Sequence, residues 1–254
     1  MAIALALAFP IAKANATVTY QIGSVGLETV GLNMPGVYVG NALAGGISIQ
    51  QLPANNNSSM PSYYVTVCRD IGATLYLGQT YTYDSPATPF AGQSGINPLW
   101  GTGLNDGSAA KAIQNAAYIF NTFGQLTSTG LGGDADLKTA IQLAVWDVLY
   151  NTDVNGSVVA GARFSYSGVD SGVSDDLASF GLASLTGNYN LSGSLLVPDP
   201  LLGGINANGD GKSPQELLIQ SVPVPESTTI IAGALLLLPL GASTFRILSN
   251  RRAV

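Results

Sequence analysis

The chain has no histidine, a single cysteine and few charges, and each shortage excludes a class of chemistry. Without histidine there is no Ser-His-Asp or Cys-His catalysis, no histidine-ligated zinc and none of the usual general base. A single cysteine, Cys68, removes intrachain disulfides and cysteine-rich metal sites. Charged residues make up 9% of the chain, against about 25% in ordinary soluble domains, and the net charge is −6. Three of the nine basic residues, Arg246, Arg251 and Arg252, crowd the C-terminus. No stretch can neutralise a run of phosphates, which argues against nucleic-acid binding. What remains is 254 residues, 46% of them hydrophobic, with 31 glycines. That is enough for one sizeable core in a loop-rich, β-rich protein of extracellular character.

The two ends are apolar. Residues Met1 to Phe9 form a hydrophobic run that leads to Ala14-Asn15-Ala16, a small-x-small cleavage pattern. We read 1–16 as a signal peptide cut after Ala16, although the positive n-region is missing; an ordinary apolar strand is the alternative. At the other end, Glu226 is followed by nineteen uncharged residues, Ser227 to Phe245. As a helix they would span roughly 28 Å, about one bilayer core. The arginines after them place that end in the cytoplasm, and the preceding domain outside. The layout of Val222-Pro223-Val224-Pro225-Glu226, an apolar helix and Arg246, Arg251 and Arg252 resembles a PEP-CTERM sorting signal, with Ser227 where a second proline is usual. The resemblance covers 222–254. It implies export in a Gram-negative bacterium, transient membrane anchoring, and processing by an exosortase-type enzyme.

Between the ends, periodicity changes along the chain. Residues 17–83 read as strands: Thr17–Ile22 alternates, Gly36–Gly40 and Gly46–Gln50 are short and glycine-bounded, and Tyr63–Cys68 and Thr74–Tyr83 are β-branched and aromatic. Asn55–Ser59 and Ser85–Asp106 read as loops. Ile113, Ala116, Ala117 and Phe120 then fall at helical spacing, with Asp106 or Ser108 as cap. A second helix is predicted over 136–150 from Leu137, Ala140, Ile141, Ala144, Val145, Val148 and Leu149, capped by Asp134 or Asp136. A weaker helix covers Val173–Leu182, and strands return at Tyr189–Val197 and Glu216–Val222. The expected fold is β-rich α+β, a β-sandwich or barrel with a helical insertion at about 107–185, forming one domain from 17 to 221.

The chemistry-bearing pair is Cys68, in Tyr63-Tyr64-Val65-Thr66-Val67-Cys68, and Gln142, in Gln142-Leu143-Ala144-Val145-Trp146. A thiol and a carboxamide held together away from water can form a thioester with loss of ammonia, which needs neither histidine nor metal. On its helix Gln142 is predicted at the border of the apolar stripe, half-buried yet reachable, with Trp146 one turn on to cover it and Ala144 small enough to admit a strand. Cys68 shares a strand face with Tyr64 and Thr66, while Val65 and Val67 face the other way, so the strand is expected to be buried on both faces. The cysteine in a Tyr/Val-rich strand, followed by Gln-x-Ala-x-Trp, resembles the Cys-Gln thioester domains of bacterial surface proteins, over about 36–150. Ile141 stands where that family often has threonine. The resemblance implies a thioester between Cys68 and Gln142, shielded by Trp146, Ala144 and Tyr64. It also implies single-turnover covalent attachment to an amine-bearing surface or matrix polymer, with no cofactor and no metal.

Two other readings stand beside it. In the first, the protein is a passive extracellular-matrix component with an inert cysteine. In the second, it is a carbohydrate-binding module using Tyr63, Tyr64, Tyr76, Tyr81, Tyr83 and Trp100 as stacking surfaces, although strand tyrosines are usually core. Two segments, Asn151-x-Asp153-x-Asn155-Gly156 and Asn206-x-Asn208-x-Asp210-Gly211, resemble the start of a calcium loop but lack the glutamate at the twelfth position; they read better as Asx turns.

Overall fold

In the computed structural model the described residues are 16–52, 63–69, 71, 75–85, 88–89, 109–189, 194–196 and 217–219. All fall in the first of two units, Met1–Ser221. The signal-peptide segment before Ala16, the 55–59 loop, nearly all of 85–106 including Trp100 and Asp106, Ser108, the 206–211 motif and the 222–254 tail lie outside them. Among the described residues no helix is long and apolar enough to cross a membrane.

The sequence reads residues 17–50 as three short strands, but they form one long hairpin. Strand β1 (Ala16–Met34) pairs antiparallel with β2 (Tyr38–Gln51) along nearly its whole length, turning at Pro35-Gly36-Val37. Of the glycines read as boundaries, Gly36 lies in the turn, while Gly40 and Gly46 lie inside the ladder. Gly26, at φ +64°, marks a register shift between Val25 and Leu27, a bulge that bends the hairpin. A Cβ at Gly26 would stand 2.8 Å from the Cα of Ala135, so the missing side chain is what lets a helix start against the strand.

Six further strands complete an open antiparallel sheet: β3 (Tyr63–Cys68), β4 (Thr80–Ser85), β5 (Thr88–Pro89), β6 (Ser165–Ser167), β7 (Ser194–Leu196) and β8 (Leu217–Ile219). Their order is β4-β1-β2-β3-β8-β7-β5, with β6 pairing the far end of β1 at Gly31–Asn33. The expected strand over 74–83 is interrupted by a turn at Leu77-Gly78, where Gly78 has φ +80°, and β4 starts only at Thr80.

Three helices follow. Helix α1 is Ala109–Phe123, α2 is Ala135–Asn151 and α3 is Ser171–Ser179, with a 3-10 turn at Leu182–Ser184. Asp134 caps α2 by accepting the N–H of Leu137 at 3.0 Å, and Asp170 caps α3 by accepting that of Val173 at 2.9 Å. Helix α2 differs from its expected form. Every residue from Leu137 to Asn151 is buried, because α2 is the middle layer: it packs on β1, β2 and β3 on one side and on α1 and α3 on the other. A helix enclosed on all sides has no solvated face to display a stripe.

The N-termini of α2 and α3 bring acids together. Glu28 of β1 lies with Asp136 and Asp170, their carboxylate oxygens within 4.8 Å of one another. Glu28 is held above its ordinary range, first by burial, then by the charges of Asp170 and Asp136 and a hydrogen bond with Asp136. Asp176 is raised by burial and by Asp134, Asp136 and Asp175. A folded-state pKa above the unfolded value means the folded chain binds the proton more tightly. Stability therefore falls as pH rises from the unfolded value of Glu28 through its raised one. Glu28→Gln is expected to stabilise the protein near neutral pH, by on the order of 0.5 kcal/mol because the group is well solvated. Thermal melts at about pH 7 and about pH 3.5 check this; the gain should vanish at the acid end, and an undiminished gain there refutes the electrostatic cause.

Candidate functional site

Cys68 is the last residue of β3, and the neighbours of that strand change along it. Tyr63 to Thr66 pair with Gln50 to Ile47 of β2. Val65 also meets the loop before α2: its N–H donates to Thr129 O at 2.8 Å and its carbonyl accepts from Leu131 N at 2.9 Å. That crossing requires Gly130, at φ +92°, where a Cβ would fall 2.1 Å from Val65 O. Val67 and Cys68 pair with Leu218 and Leu217 of β8. Continuing the β2 register would set Cys68 opposite Gly45, but the β2 pairing stops at Ile47, next to the bulged stretch.

Gln142 of α2 takes the place that β2 vacates. The Cys68 N–H donates to Gln142 Oε1 at 2.7 Å, and Gln142 Nε2 donates to the Cys68 carbonyl at 2.8 Å. The carboxamide thus acts as a one-residue strand substitute, satisfying both backbone groups of residue 68. Both residues are buried, Cys68 at 3% and Gln142 at 1% exposure. The half-buried border position expected for Gln142 is corrected here: α2 has no border, and the side chain survives burial because its polar atoms are paired. Burial of the Cys68 strand on both faces holds from Tyr64 onward, while Tyr63 is exposed.

Two residues unmarked by any sequence motif complete the setting. Tyr150, two turns along α2 from Gln142, uses its hydroxyl to accept the N–H of Ile71 at 3.1 Å, so the segment after β3 is tied to α2 twice. Tyr83 is fully buried, and its phenol is pushed well above its ordinary range by burial first, then by the nearby Cys68 and Tyr81. It sets a neutral hydroxyl group near the sulfur. The only sequence signal for either was an aromatic at a core-facing position.

Cys68, Gln142 and Trp146 all reach the wall of one cavity of about 270 Å³. Apart from Tyr38, the rest of the described wall is aliphatic, from Ile22, Leu27 and Leu32 of β1, Leu43 and Ile47 of β2, and the turn residues Leu75 and Leu77, among others. Leu43 and Leu77 are about half exposed, so the cavity opens to solvent beside them. Trp146 is buried and packs edge-on against Phe164, and among the described residues its indole N–H has no hydrogen-bond acceptor. Ala144 and Tyr64 are buried in the core and do not line the cavity.

The first calcium-like segment is an Asx turn. Asp153 Oδ1 accepts the N–H groups of Asn155 and Ser157 at 2.8 and 2.9 Å. Asn151 Oδ1 accepts those of Arg163 and Phe164. Of the tyrosines considered for stacking, Tyr64, Tyr81 and Tyr83 are core, while Tyr63 and Tyr76 are partly exposed. The chain matches no protein-family model, no curated protein and no solved structure.

Proposed function

We propose that Cys68 and Gln142 form an internal thioester and that the protein attaches itself covalently to amine-bearing partners. The observation that carries this reading is the docking of the Gln142 carboxamide onto residue 68 itself, in a buried setting. The Cys68 sulfur adds to the carboxamide carbon, and Oε1 takes up the negative charge. The Cys68 N–H already lies at oxyanion-hole distance from Oε1; one such donor is worth about 3 kcal/mol to a tetrahedral intermediate. Collapse expels Nε2 as ammonia, with the proton lost from the thiol, and leaves an acyl–sulfur bond. Burial slows its hydrolysis by excluding water. A partner amine then replaces the sulfur, giving a stable amide.

The wider reading belongs to the same proposal. An exported protein of the surface or matrix, with a signal peptide at 1–16 and a tail at 222–254 handled by an exosortase-type enzyme, suits a single-use covalent linker. The sandwich-or-barrel arrangement is supported by the approach of β4, at one end of the sheet order, to β7, next to the other end.

One observation favours a second reading. Gln142 satisfies both buried backbone groups of Cys68, which is sufficient reason for its presence in a passive protein with an inert thiol. Intact mass separates the two. Freshly purified wild type is expected to be lighter than its sequence mass by one ammonia, and Cys68→Ala and Gln142→Ala should each show their full sequence mass. Methylamine should add to wild type and release one thiol. Full sequence mass with a titratable thiol in wild type leaves the passive reading.

A further inference from the structure

The cavity beside the pair bears on which amines can reach it. Cys68 and Gln142 lie in its wall, so an attacking nitrogen that enters there meets the acyl group directly. Among the described residues no acidic or basic side chain lines it. Its mouth is marked by exposed leucines, Leu43 and Leu77, and not by the acid cluster of Glu28, Asp136 and Asp170, none of which belongs to the wall. The volume, about 270 Å³, exceeds the roughly 150 Å³ known to hold a benzene ring in an apolar protein cavity. Trp146, another wall residue, carries an indole N–H that is buried without an acceptor among the described residues.

We propose that this cavity selects primary amines with an uncharged, apolar body, such as an aralkyl group, over polyamines and lysine-like amines with further charges. The inference rests on the thioester reading and names its substrate class. The attacking amine enters as the free base. Its nitrogen lone pair adds to the Gln142 carbonyl carbon, the carbon–sulfur bond breaks, and the proton lost from nitrogen ends on the Cys68 sulfur. The products are a secondary amide at Gln142 and a free thiol at Cys68. An amine with a second and third ammonium would have to strip those charges of water in a wall whose described residues offer them no counter-charge. An aromatic or alkyl body gains instead from burial against the leucines and isoleucines.

The test uses the purified full-length protein with three probes: methylamine, phenethylamine and spermidine. Each is supplied at equal free-base concentration and matched ionic strength, and adduct mass and released thiol are followed with time. Phenethylamine should react at least about tenfold faster than spermidine, as expected from burying even part of a ring. Leu77→Asp, in an exposed turn, should cut that ratio about fivefold or more by setting a carboxylate at the mouth, and Leu43→Asp should act in the same direction. Equal rates in wild type, or faster reaction of spermidine, overturn the cavity proposal while a methylamine adduct leaves the thioester standing. If wild type has its full sequence mass and methylamine does not add, the thioester reading and this proposal fall together.

Discussion

Gln142→Ala should be among the most destabilising single substitutions in the molecule, and its comparison with Cys68→Ala should show whether the pair is bonded. Gln142 completes the pairing of residue 68 with two hydrogen bonds at 2.7 and 2.8 Å. Removing it leaves a buried N–H and a buried carbonyl unsatisfied, at about 1–3 kcal/mol each. Even in a passive clamp the loss should be about 3 kcal/mol or more, whereas Cys68→Ala keeps the backbone groups paired and should lose about 1 kcal/mol. A covalent bond changes the comparison. The two residues are 74 positions apart, and cross-linking a loop of that size stabilises by about 4 kcal/mol through the unfolded chain. Cys68→Ala would then lose about 5 kcal/mol; Gln142→Ala, which also strips the Cys68 N–H of its Oε1 acceptor (Nε2 having already left as ammonia), would lose about 6 kcal/mol. For a chain of this size each kcal/mol moves the melting midpoint by about 2–4 °C. The Cys68→Ala midpoint is therefore the sharper reading: a fall of a few degrees indicates a thiol, and a fall of more than about 10 °C a cross-link.

Trp146→Ala is expected to lose about 3–5 kcal/mol, the usual range for emptying a buried indole site. It removes the edge contact with Phe164 and enlarges the space beside Cys68 and Gln142. Trp146→Phe should lose about 1 kcal/mol or less, because it keeps an aromatic ring there and discards an N–H that is buried without an acceptor among the described residues. Denaturant midpoints at unchanged slope measure both. If the phenylalanine variant is as damaged as the alanine variant, the indole N–H has a partner in solution. With the thioester in place, Trp146→Ala should also shorten the lifetime of the bond by admitting water.

Much of this site was legible in the sequence, for identifiable reasons. Helix α2 announced itself through a cap at Asp134 and an unbroken apolar series, signals that act locally. Cys68 and Gln142 stood out by chemistry and order, and the fold brings them together. The missed features are those set by tertiary contact. Gly40 and Gly46 looked like strand boundaries because glycine usually is one, and Gly26 carried no reading at all, yet its bare backbone receives Ala135. The full burial of Gln142 depended on knowing that α1 and α3 cover the far side of α2, which periodicity within α2 cannot reveal. Thr127–Leu131 read as nothing in particular, although Gly130 passes against Val65 where only a hydrogen atom fits. Tyr150 and Tyr83 carry no motif, and their roles follow from where the chain places Ile71 and Cys68.

Strand β8 has a mechanical consequence. It is three residues long, and its partner on one side is the very segment Val67-Cys68. A pull on the chain beyond Ile219 therefore loads β8 first and passes to Cys68 through two residue pairs, and from Cys68 to helix α2 through Gln142. With only hydrogen bonds along that route, tension opens the site by peeling β8 from β3. With an acyl bond between the two side chains, the same tension is carried covalently from strand to helix; once a partner amine has replaced the sulfur that link is gone, and the partner is held by the helix at the centre of the fold instead of by its edge.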